Sequence, residues 1–201
     1  AHKNILGTKD NIFKITGLAI NINDTRALHV AELVQNALEQ MGKNVDGAKI
    51  LLLGAAYRED VGDTRYSGSE LIVRKLTEMG AKMLVHDPYI QHWWEFEQQD
   101  TYPSPGHSLA RFFKNQAHLK NLKVQNDLNL ALKDVDGVIF AVRHNHYLHL
   151  DPKTLVNQVG QPPAIIDCFG ILADAKIKEY LKLGCVVKGM GRGHIERLRE
   201  K

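Results

Sequence analysis

The chain lacks the sequence features of several large protein classes. Its net charge is only +3 over 201 residues, and its lysines and arginines form no dense basic stripe, which argues against a nucleic-acid-binding surface. No apolar run approaches the ~20 residues that a membrane-spanning helix requires, and no signal peptide is visible. We therefore expect a cytoplasmic protein that binds neither nucleic acid nor a membrane.

Cysteine is also scarce. Cys168 and Cys185, the two cysteines of the chain, each lie in an apolar run that has the pattern of a strand. We expect buried thiols rather than a disulfide, as in the reducing cytosol. Methionine is absent from position 1, where the chain has Ala1, so we expect the sequence to be part of a longer protein.

The glycine fingerprint of dinucleotide-binding loops, G-x-G-x-x-G, is missing too. The loop that follows the first predicted strand has Gly54, and its next glycine is Gly62, eight residues further on. We do not expect this loop to cradle a pyrophosphate in the usual way, because that pattern needs three closely spaced glycines.

The residues that this loop does contain suit an anionic ligand. Its sequence is Gly54-Ala-Ala-Tyr-Arg-Glu-Asp-Val-Gly-Asp-Thr-Arg-Tyr-Ser67, named the ligand loop below. Arg58 and Arg65 can bind phosphate through bidentate hydrogen bonds. In the alternative interpretation, both arginines form a surface salt-bridge network with Asp60 and Asp63. The composition of the loop favours neither interpretation over the other.

Upstream of this loop, the apolar pattern predicts a long helix. Apolar residues recur at steps of three and four from Ile15 to Met41, and Gly42 is a suitable stop. A helix of roughly 25 residues is well above the mean of about 11–12. Helices of that length usually bridge domains or subunits, and one small domain does not easily cover apolar residues around much of a helix.

Beyond Gly47, apolar runs and helical patterns alternate. The runs predict strands at Lys49–Leu53, Lys82–His86, Leu122–Gln125, Gly137–Val142, Ala164–Cys168 and Cys185–Lys188. The patterns between them predict helices at Ser69–Met79, Leu109–Ala117, Leu128–Lys133, Pro152–Val159 and Ala173–Leu183. Such alternation predicts an α/β fold, a doubly wound parallel sheet of about six strands. The ligand loop would lie at the carboxyl end of a strand, where these folds bind ligands.

Three further segments have a functional and a structural interpretation. Clustered His144, His146 and His149 can bind Zn(II), but fitting ligands nearby are lacking apart from one aspartate, so we expect no metal site. Trp93 and its neighbour Trp94, in a predicted irregular insertion, more often pack a loop than stack a base. We expect the basic tail after Gly191 to be a solvated end.

Several segments resemble motifs of the nucleotide-sugar 6-dehydrogenases, which act on UDP-glucose, UDP-N-acetylhexosamines or GDP-mannose. The ligand loop is similar to their G-x-A-Y/F-K-x-D-x-x-D-x-R-x-S segment. The other matches follow in the family's order, and the resemblance extends over nearly the whole chain from Leu18. The other matching segments, each followed by the family motif that it resembles, are Ala19–Asp24 (A-R-x-x-N-D), Gly80–Pro88 (G-A-x-V-x-x-Y-D-P), Asp134–Val142 with His144 and Tyr147 (D-A-D-x-x-V-x-x-T-x-H-x-x-F/Y), and Gly184–Gly193 (G-x-x-Y-x-G-I-G-R-G).

The resemblance implies a domain organisation. In the family, an NAD-binding Rossmann domain and a G-G-x-C-x-P-K-D segment with the nucleophilic cysteine precede a central helix. Neither Cys168 nor Cys185 has that glycine-rich flank, so we expect no catalytic residue here and a nucleophile upstream. We predict a C-terminal half in which residues 1–46 hold an N-terminal segment and the central dimerisation helix, and 47–201 form a nucleotide-sugar (UDP)-binding domain. Its partners would be a UDP-sugar, a second copy and the missing NAD-binding domain.

The resemblance also implies roles for single residues. Tyr57 and Arg58 match the pair that contacts the nucleotide sugar, where the family usually has lysine in place of Arg58. Arg65 matches the arginine that reaches the NAD pyrophosphate, and we expect all three to face one cleft. Phe169 stands where UDP-glucose enzymes have the arginine of D-G-R-N, which favours a UDP-N-acetylhexosamine over UDP-glucose.

The activity that follows from the resemblance is NAD-dependent oxidation of the sugar C6 alcohol to a carboxylate. The isolated chain is expected to be inactive, because the residues for hydride transfer and covalent catalysis would lie upstream. The alternative is a stand-alone nucleotide-binding or regulatory module without catalysis.

Overall fold

The computed structural model of the protein describes residues 14–97 and 116–199. The predicted helix at Leu109–Ala117 lies almost wholly outside these residues. The described chain begins with one long helix and then alternates between strands and helices. In chain order the elements are α1 (Lys14–Gln40), β1 (Lys49–Leu53), α2 (Gly68–Glu78), β2 (Lys82–His86), α3 (Trp94–Glu97), a 3₁₀ helix (Ala117–Asn121), β3 (Val124–Gln125), α4 (Leu128–Ala131), β4 (Gly137–Phe140), α5 (Asn145–Leu148), α6 (Pro152–Val159), β5 (Ala164–Asp167), α7 (Asp174–Lys182), β6 (Val186–Gly189) and α8 (Ile195–Arg199).

These residues form one six-stranded sheet in the order β3-β2-β1-β4-β5-β6, and every neighbouring pair is parallel. Leu52 in β1 pairs with Val85 in β2 and with Ile139 in β4, which aligns the apolar runs. The arrangement confirms the predicted doubly wound parallel sheet. The strand order reverses between β1 and β4, and ligands bind such sheets outside the carboxyl ends of the strands at this switch point.

Helices cover both faces of the sheet. Ile50 to Leu53 of β1 are completely buried, as is typical of a parallel strand enclosed on two sides. One face packs against α1 and α2 in a core that includes Leu38 and Leu76. The other face packs in a second core that includes Leu155 and Tyr180. The sheet therefore lies between two apolar cores.

Helix α1 has two halves with different surroundings. Its second half lies in the core, with Val30, Val34 and Leu38 buried. Ile15, Leu18 and Ile22 of the first half are 84%, 59% and 54% exposed. The predicted long helix is therefore confirmed, while the domain boundary at residue 46 stays a prediction.

Some element bounds differ from the predicted ones for local reasons. β3 is shorter than predicted, because Leu122 donates its N–H to the carbonyl of Leu119 and so ends the 3₁₀ helix. β4 ends at Phe140, where the N–H groups of Ala141 and Val142 both turn to the carbonyl of Leu53.

The structure corrects the prediction for the carboxyl-terminal segment. The prediction of a solvated end after Gly191 is wrong, since this segment forms α8 and its Ile195 is buried. The pattern could have indicated this, because Ile195 and Leu198 are three residues apart, as on one face of a helix.

The tryptophan pair separates into two environments. Trp93 is buried and meets Phe96 edge to face at 4.7 Å between ring centroids, which confirms the packing interpretation for this residue. Trp94 is 54% exposed and stacks on His92 at 5.1 Å. Within residues 14–97 and 116–199, no helix combines the length and apolarity needed to cross a bilayer.

Candidate functional site

A cavity of about 460 Å³ lies at the switch point of the sheet. Its walls come from α1, the ligand loop, the start of α2 and the carboxyl ends of β4 and β5. Its lining residues include Arg26, Tyr57, Ser67, Ser69, Val142 and Phe169. This position is where a doubly wound sheet is expected to bind a ligand, and we call it the switch-point cavity.

Gly54 lets the ligand loop leave β1 close to β4. Its φ is +103°, and a Cβ at this position would lie 2.5 Å from the Cβ of Val142. A larger residue would therefore both strain the backbone and overlap a neighbour. The close approach brings the beginning of the ligand loop to the floor of the cavity.

The end of the ligand loop is held by two serines at the start of α2. Ser67 is the N-cap, and its Oγ accepts from the N–H of Ser69 and donates to the carbonyl of Ala56. The hydroxyl of Ser69 donates to the carbonyl of Gly54 at 2.8 Å. The positive end of α2 thereby faces the cavity, an arrangement that favours an anion.

A buried ion pair follows within α2. Glu70, which also lines the cavity, accepts from Nε of Arg74 at 2.8 Å, and both side chains are almost completely buried. Burial raises the pKa of Glu70, and the charge of Arg74 works against that rise. The carboxylate is thus compensated within the helix rather than presented alone to a ligand.

The structure separates the three predicted binding residues. Tyr57 lies on the wall of the switch-point cavity and is 48% exposed. Arg58 is exposed beside it and lies outside the lining of the cavity. Arg65 is not in this cavity: it lines a neighbouring cavity of about 730 Å³ with Tyr89 and Trp94.

Arg65 also makes one ion pair of the network in the alternative interpretation, the pair with Asp63. Its Nη2 lies 2.6 Å from Oδ2 of Asp63, and its Nε donates to the same carboxylate. Hydrogen bonds from Arg65 lower the pKa of Asp63 to about 2. The pair is therefore ionised at neutral pH and orients the exposed guanidinium. A surface pair and a ligand contact are compatible, because the bonds to Asp63 are made by Nε and Nη2 and do not use Nη1.

Arg26 is a candidate binding residue that the sequence prediction missed. It lies on α1, and among the described residues that line the switch-point cavity it is the single basic one. A signal was present in the helical spacing. Asn23, Arg26, Ala27 and Val30 recur at steps of three and four, and Val30 is buried against the domain.

The loop after β5 brings Phe169 to the rim of the cavity. Asp167 is fully buried and accepts from the backbone N–H groups of Phe169, Ile171 and Leu172. Its Oδ2 also accepts from Nη1 of Arg192 at 2.8 Å. Phe169 itself is 57% exposed, so a buried carboxylate fixes the backbone while the ring is presented outward.

The cysteines and histidines near the site form no metal cluster among the described residues. Cys168 and Cys185 are free and buried, as predicted, and burial raises the pKa of both thiols. His144 is buried within the domain, while the exposed His146 stacks on His86 at 5.8 Å. In the part of the chain that the structure describes, no three metal-ligating side chains come together.

The fold and the cavity thus define an α/β domain with a cavity at the switch point of its sheet. The sequence model of the UDP-glucose/GDP-mannose dehydrogenase family, UDP binding domain, matches residues 51–174. This range is well over half of the chain and contains the ligand loop, β4 and β5. The chain belongs to this family.

Individual relatives agree with this assignment. UDP-glucose 6-dehydrogenase 1 of Arabidopsis thaliana is 25% identical over 183 residues, which cover 86% of this chain and 35% of the relative. UDP-N-acetyl-D-mannosamine dehydrogenase of Methanococcus maripaludis is 32% identical over 85 residues, 42% of this chain and 19% of that protein. The chain therefore spans about a third of the length of these curated relatives or less.

A solved structure supports the fold. The NDP-N-acetyl-D-galactosaminuronic acid dehydrogenase of Methanosarcina mazei Go1 superimposes with a TM-score of 0.74 at 25% identity. The superposition covers 97% of this chain and 35% of that structure. The similarity includes the described helix α1 as well as the sheet.

Proposed function

We propose that this chain is the nucleotide-sugar-binding part of an NAD-dependent nucleotide-sugar 6-dehydrogenase. The observation that carries the proposal is the switch-point cavity, most of whose lining lies within the residues that the family matches, while Arg26 on α1 lies outside them. In this proposal Tyr57 contacts the nucleotide sugar, and Arg26 and Arg58 supply positive charge to the diphosphate. The positive end of α2 adds a partial charge of the same sign.

The whole enzyme would oxidise the sugar C6 alcohol to a carboxylate. NAD supplies the hydride acceptor, and a nucleophilic cysteine outside this chain would divide the oxidation into easier covalent steps. This chain's own residues bind and orient the substrate. Its cysteines are unsuited to attack, because burial raises the pKa of Cys168 and Cys185 and so disfavours the thiolate.

Arg65 fits a role as a contact to NAD held by another domain. The ligand loop has no dinucleotide fingerprint, so this domain would not hold the cofactor itself. The guanidinium of Arg65 is 76% exposed, and Asp63 orients it through Nε and Nη2. An exposed, oriented guanidinium matches the needs of a phosphate oxygen presented from outside.

For the substrate, we propose a UDP-N-acetylhexosamine in preference to UDP-glucose. Phe169 presents an apolar ring at the rim, where UDP-glucose enzymes have a guanidinium by resemblance. Calorimetric titration with UDP-N-acetylglucosamine and UDP-glucose compares the two classes. Equal affinities, or tighter binding of UDP-glucose, would contradict this preference.

We propose further that α1 forms a homodimer contact through its first half, where Ile15, Leu18 and Ile22 are exposed. Leu18→Asp is expected to convert a dimer at high micromolar concentration into a monomer, because it places a charge in an apolar contact. Sedimentation velocity measures the change. Leu130→Asp, at a leucine that is 53% exposed outside α1, is the matched control and should leave the dimer intact. A clean wild-type monomer at that concentration would refute the contact.

The isolated chain is expected to reduce no NAD with any nucleotide sugar. The physical reason is that the nucleophile and the dinucleotide fingerprint would lie elsewhere. An assay of NADH formation with the pure 201-residue protein tests this expectation, and turnover would contradict the proposal that the nucleophile lies outside this chain.

The alternative function, a stand-alone regulatory module, is distinguished by the genomic sequence upstream. Only the dehydrogenase predicts G-x-G-x-x-G and G-G-x-C segments in the same reading frame.

A further inference from the structure

One buried histidine joins the ligand loop to the ends of two neighbouring strands. His144 follows β4 and is completely buried. Its Nδ1 lies 2.9 Å from the backbone nitrogen of Asp60, and its Nε2 lies 3.1 Å from Oδ2 of Asp87. A backbone N–H can only donate, so Nδ1 accepts and Nε2 carries the proton that is donated to Asp87.

Asp87, at the end of β2, holds the beginning of the ligand loop. Its Oδ2 accepts from the N–H groups of Ala55 at 2.7 Å and Ala56 at 3.1 Å, and its Oδ1 accepts from Tyr89. Burial alone would raise the pKa of this carboxyl, but the hydrogen bonds from His144, Tyr89 and Ala55 outweigh it and lower the pKa. The ionised carboxylate is therefore a fixed acceptor for the loop.

Asp60 is the second fixed point of the loop. Its φ is +55°, a left-handed conformation that a residue other than glycine rarely adopts. The backbone is held there by His144, and the side chain accepts from the N–H of Asn145 at 3.0 Å and from the hydroxyl of Tyr89 at 3.1 Å. The middle of the ligand loop is thus tied to the carboxyl end of β4.

Only three residues, Tyr57, Arg58 and Glu59, lie between the two fixed points at Ala56 and Asp60. A segment that short has little conformational freedom once both of its ends are held. The segment that carries Tyr57 and Arg58 therefore lies between two points that both lead to His144, one through Asp60 and one through Asp87. His144 itself is outside the lining of the switch-point cavity.

We propose that His144 is a positioning residue for nucleotide-sugar binding. Through Asp60 and Asp87 it fixes where Tyr57 and Arg58 meet the substrate, and this role rests on the proposed function. Its neutral imidazole is suited to the task because one nitrogen must accept from Asp60 while the other donates to Asp87. A purely structural role in packing would not depend on which of the two nitrogens is replaced.

Two substitutions separate the nitrogens. His144→Asn places an amide near the position of Nδ1 and can still accept from Asp60, whereas His144→Gln places one near Nε2 and reaches only Asp87. In the ¹⁵N-labelled 201-residue chain, His144→Gln is expected to speed hydrogen exchange of the Asp60 amide about tenfold. His144→Asn should stay within about threefold of wild type. UDP affinity, measured by calorimetry, should fall about three- to tenfold for Gln and less for Asn.

Tyr147→Phe is the matched control. Its hydroxyl donates to the carbonyl of His86 in the same buried cluster and makes no bond to the ligand loop. This variant should lower the melting temperature and leave the exchange of Asp60 unchanged. Thermal unfolding of all three variants checks that each of them folds.

The exchange experiment tests the positioning role of His144, and the binding experiment also tests the proposed function. Equal exchange at Asp60 in the Gln and Asn variants would overturn the positioning role, as would faster exchange in His144→Gln with wild-type UDP affinity. If the wild-type chain binds no UDP, the proposed function fails, and with it the role of His144 in substrate binding. The exchange comparison would then still decide whether His144 orders the loop.

Discussion

Arg58→Ala is expected to weaken UDP binding about ten- to a hundredfold. A hydrogen bond from a charged group typically contributes about 1.5–3 kcal/mol, and each 1.4 kcal/mol corresponds to a factor of ten in affinity. Arg58→Lys should lose less, because it keeps the charge but not the bidentate geometry. Calorimetry on the wild-type and variant chains measures the differences.

Two comparisons sharpen this experiment. Arg197→Ala removes the same charge from an exposed position on α8, away in the sequence from the ligand loop and its Tyr57, so it should leave the affinity within about twofold. Arg26→Ala removes the basic residue that does line the cavity and should also weaken binding about tenfold or more. If neither Arg26→Ala nor Arg58→Ala changes the affinity, the diphosphate does not bind here.

Arg192→Ala should destabilise the domain by about 3–5 kcal/mol. Removing one partner of a buried ion pair leaves the other charge uncompensated. Asp167 is fully buried, and Nη1 of Arg192, 2.8 Å from its Oδ2, is its charged partner. Because three backbone N–H groups also donate to Asp167, we expect a value near the lower end of this range.

Urea unfolding at neutral pH measures this loss. Arg199→Ala, at an exposed arginine of α8, is the matched control and should change the free energy of unfolding by less than about 0.5 kcal/mol. Because Asp167 fixes the backbone of Phe169, the Arg192 variant should bind UDP-sugars more weakly as well. A loss of stability below about 1 kcal/mol would mean that the backbone donors alone hold Asp167.

The strongest sequence patterns predicted both ends of their helix or strand correctly. β1, β2 and α6 have the predicted bounds, because uninterrupted apolar runs and a Pro152 start followed by Gly160 leave few alternatives. β3 was predicted too long, since one apolar residue, Leu122, serves the end of a 3₁₀ helix instead of a strand. The strand order itself does not follow from alternation, because the same alternation is compatible with more than one doubly wound order.

Part of the candidate site could also be predicted from the sequence. Tyr57 could be placed because it belongs to the loop that follows β1, four residues after Leu53. The link between Asp87 and His144 could not, because these residues are 57 positions apart and meet only when β2 and β4 flank β1. Arg26 was missed because its helix was interpreted as a bridge to other domains rather than as a wall of the cavity.

Titration of the ¹⁵N-labelled chain with UDP, followed by NMR, tests the central claim most directly. The account predicts weak, saturable shifts centred on the switch-point cavity, at Arg26, Tyr57, Ser67, Ser69 and Phe169. It also predicts that Arg26→Ala and Arg58→Ala reduce them. The absence of saturable shifts, or shifts confined to the neighbouring cavity around Trp94, would contradict the claim that this domain binds a nucleotide sugar at its switch point.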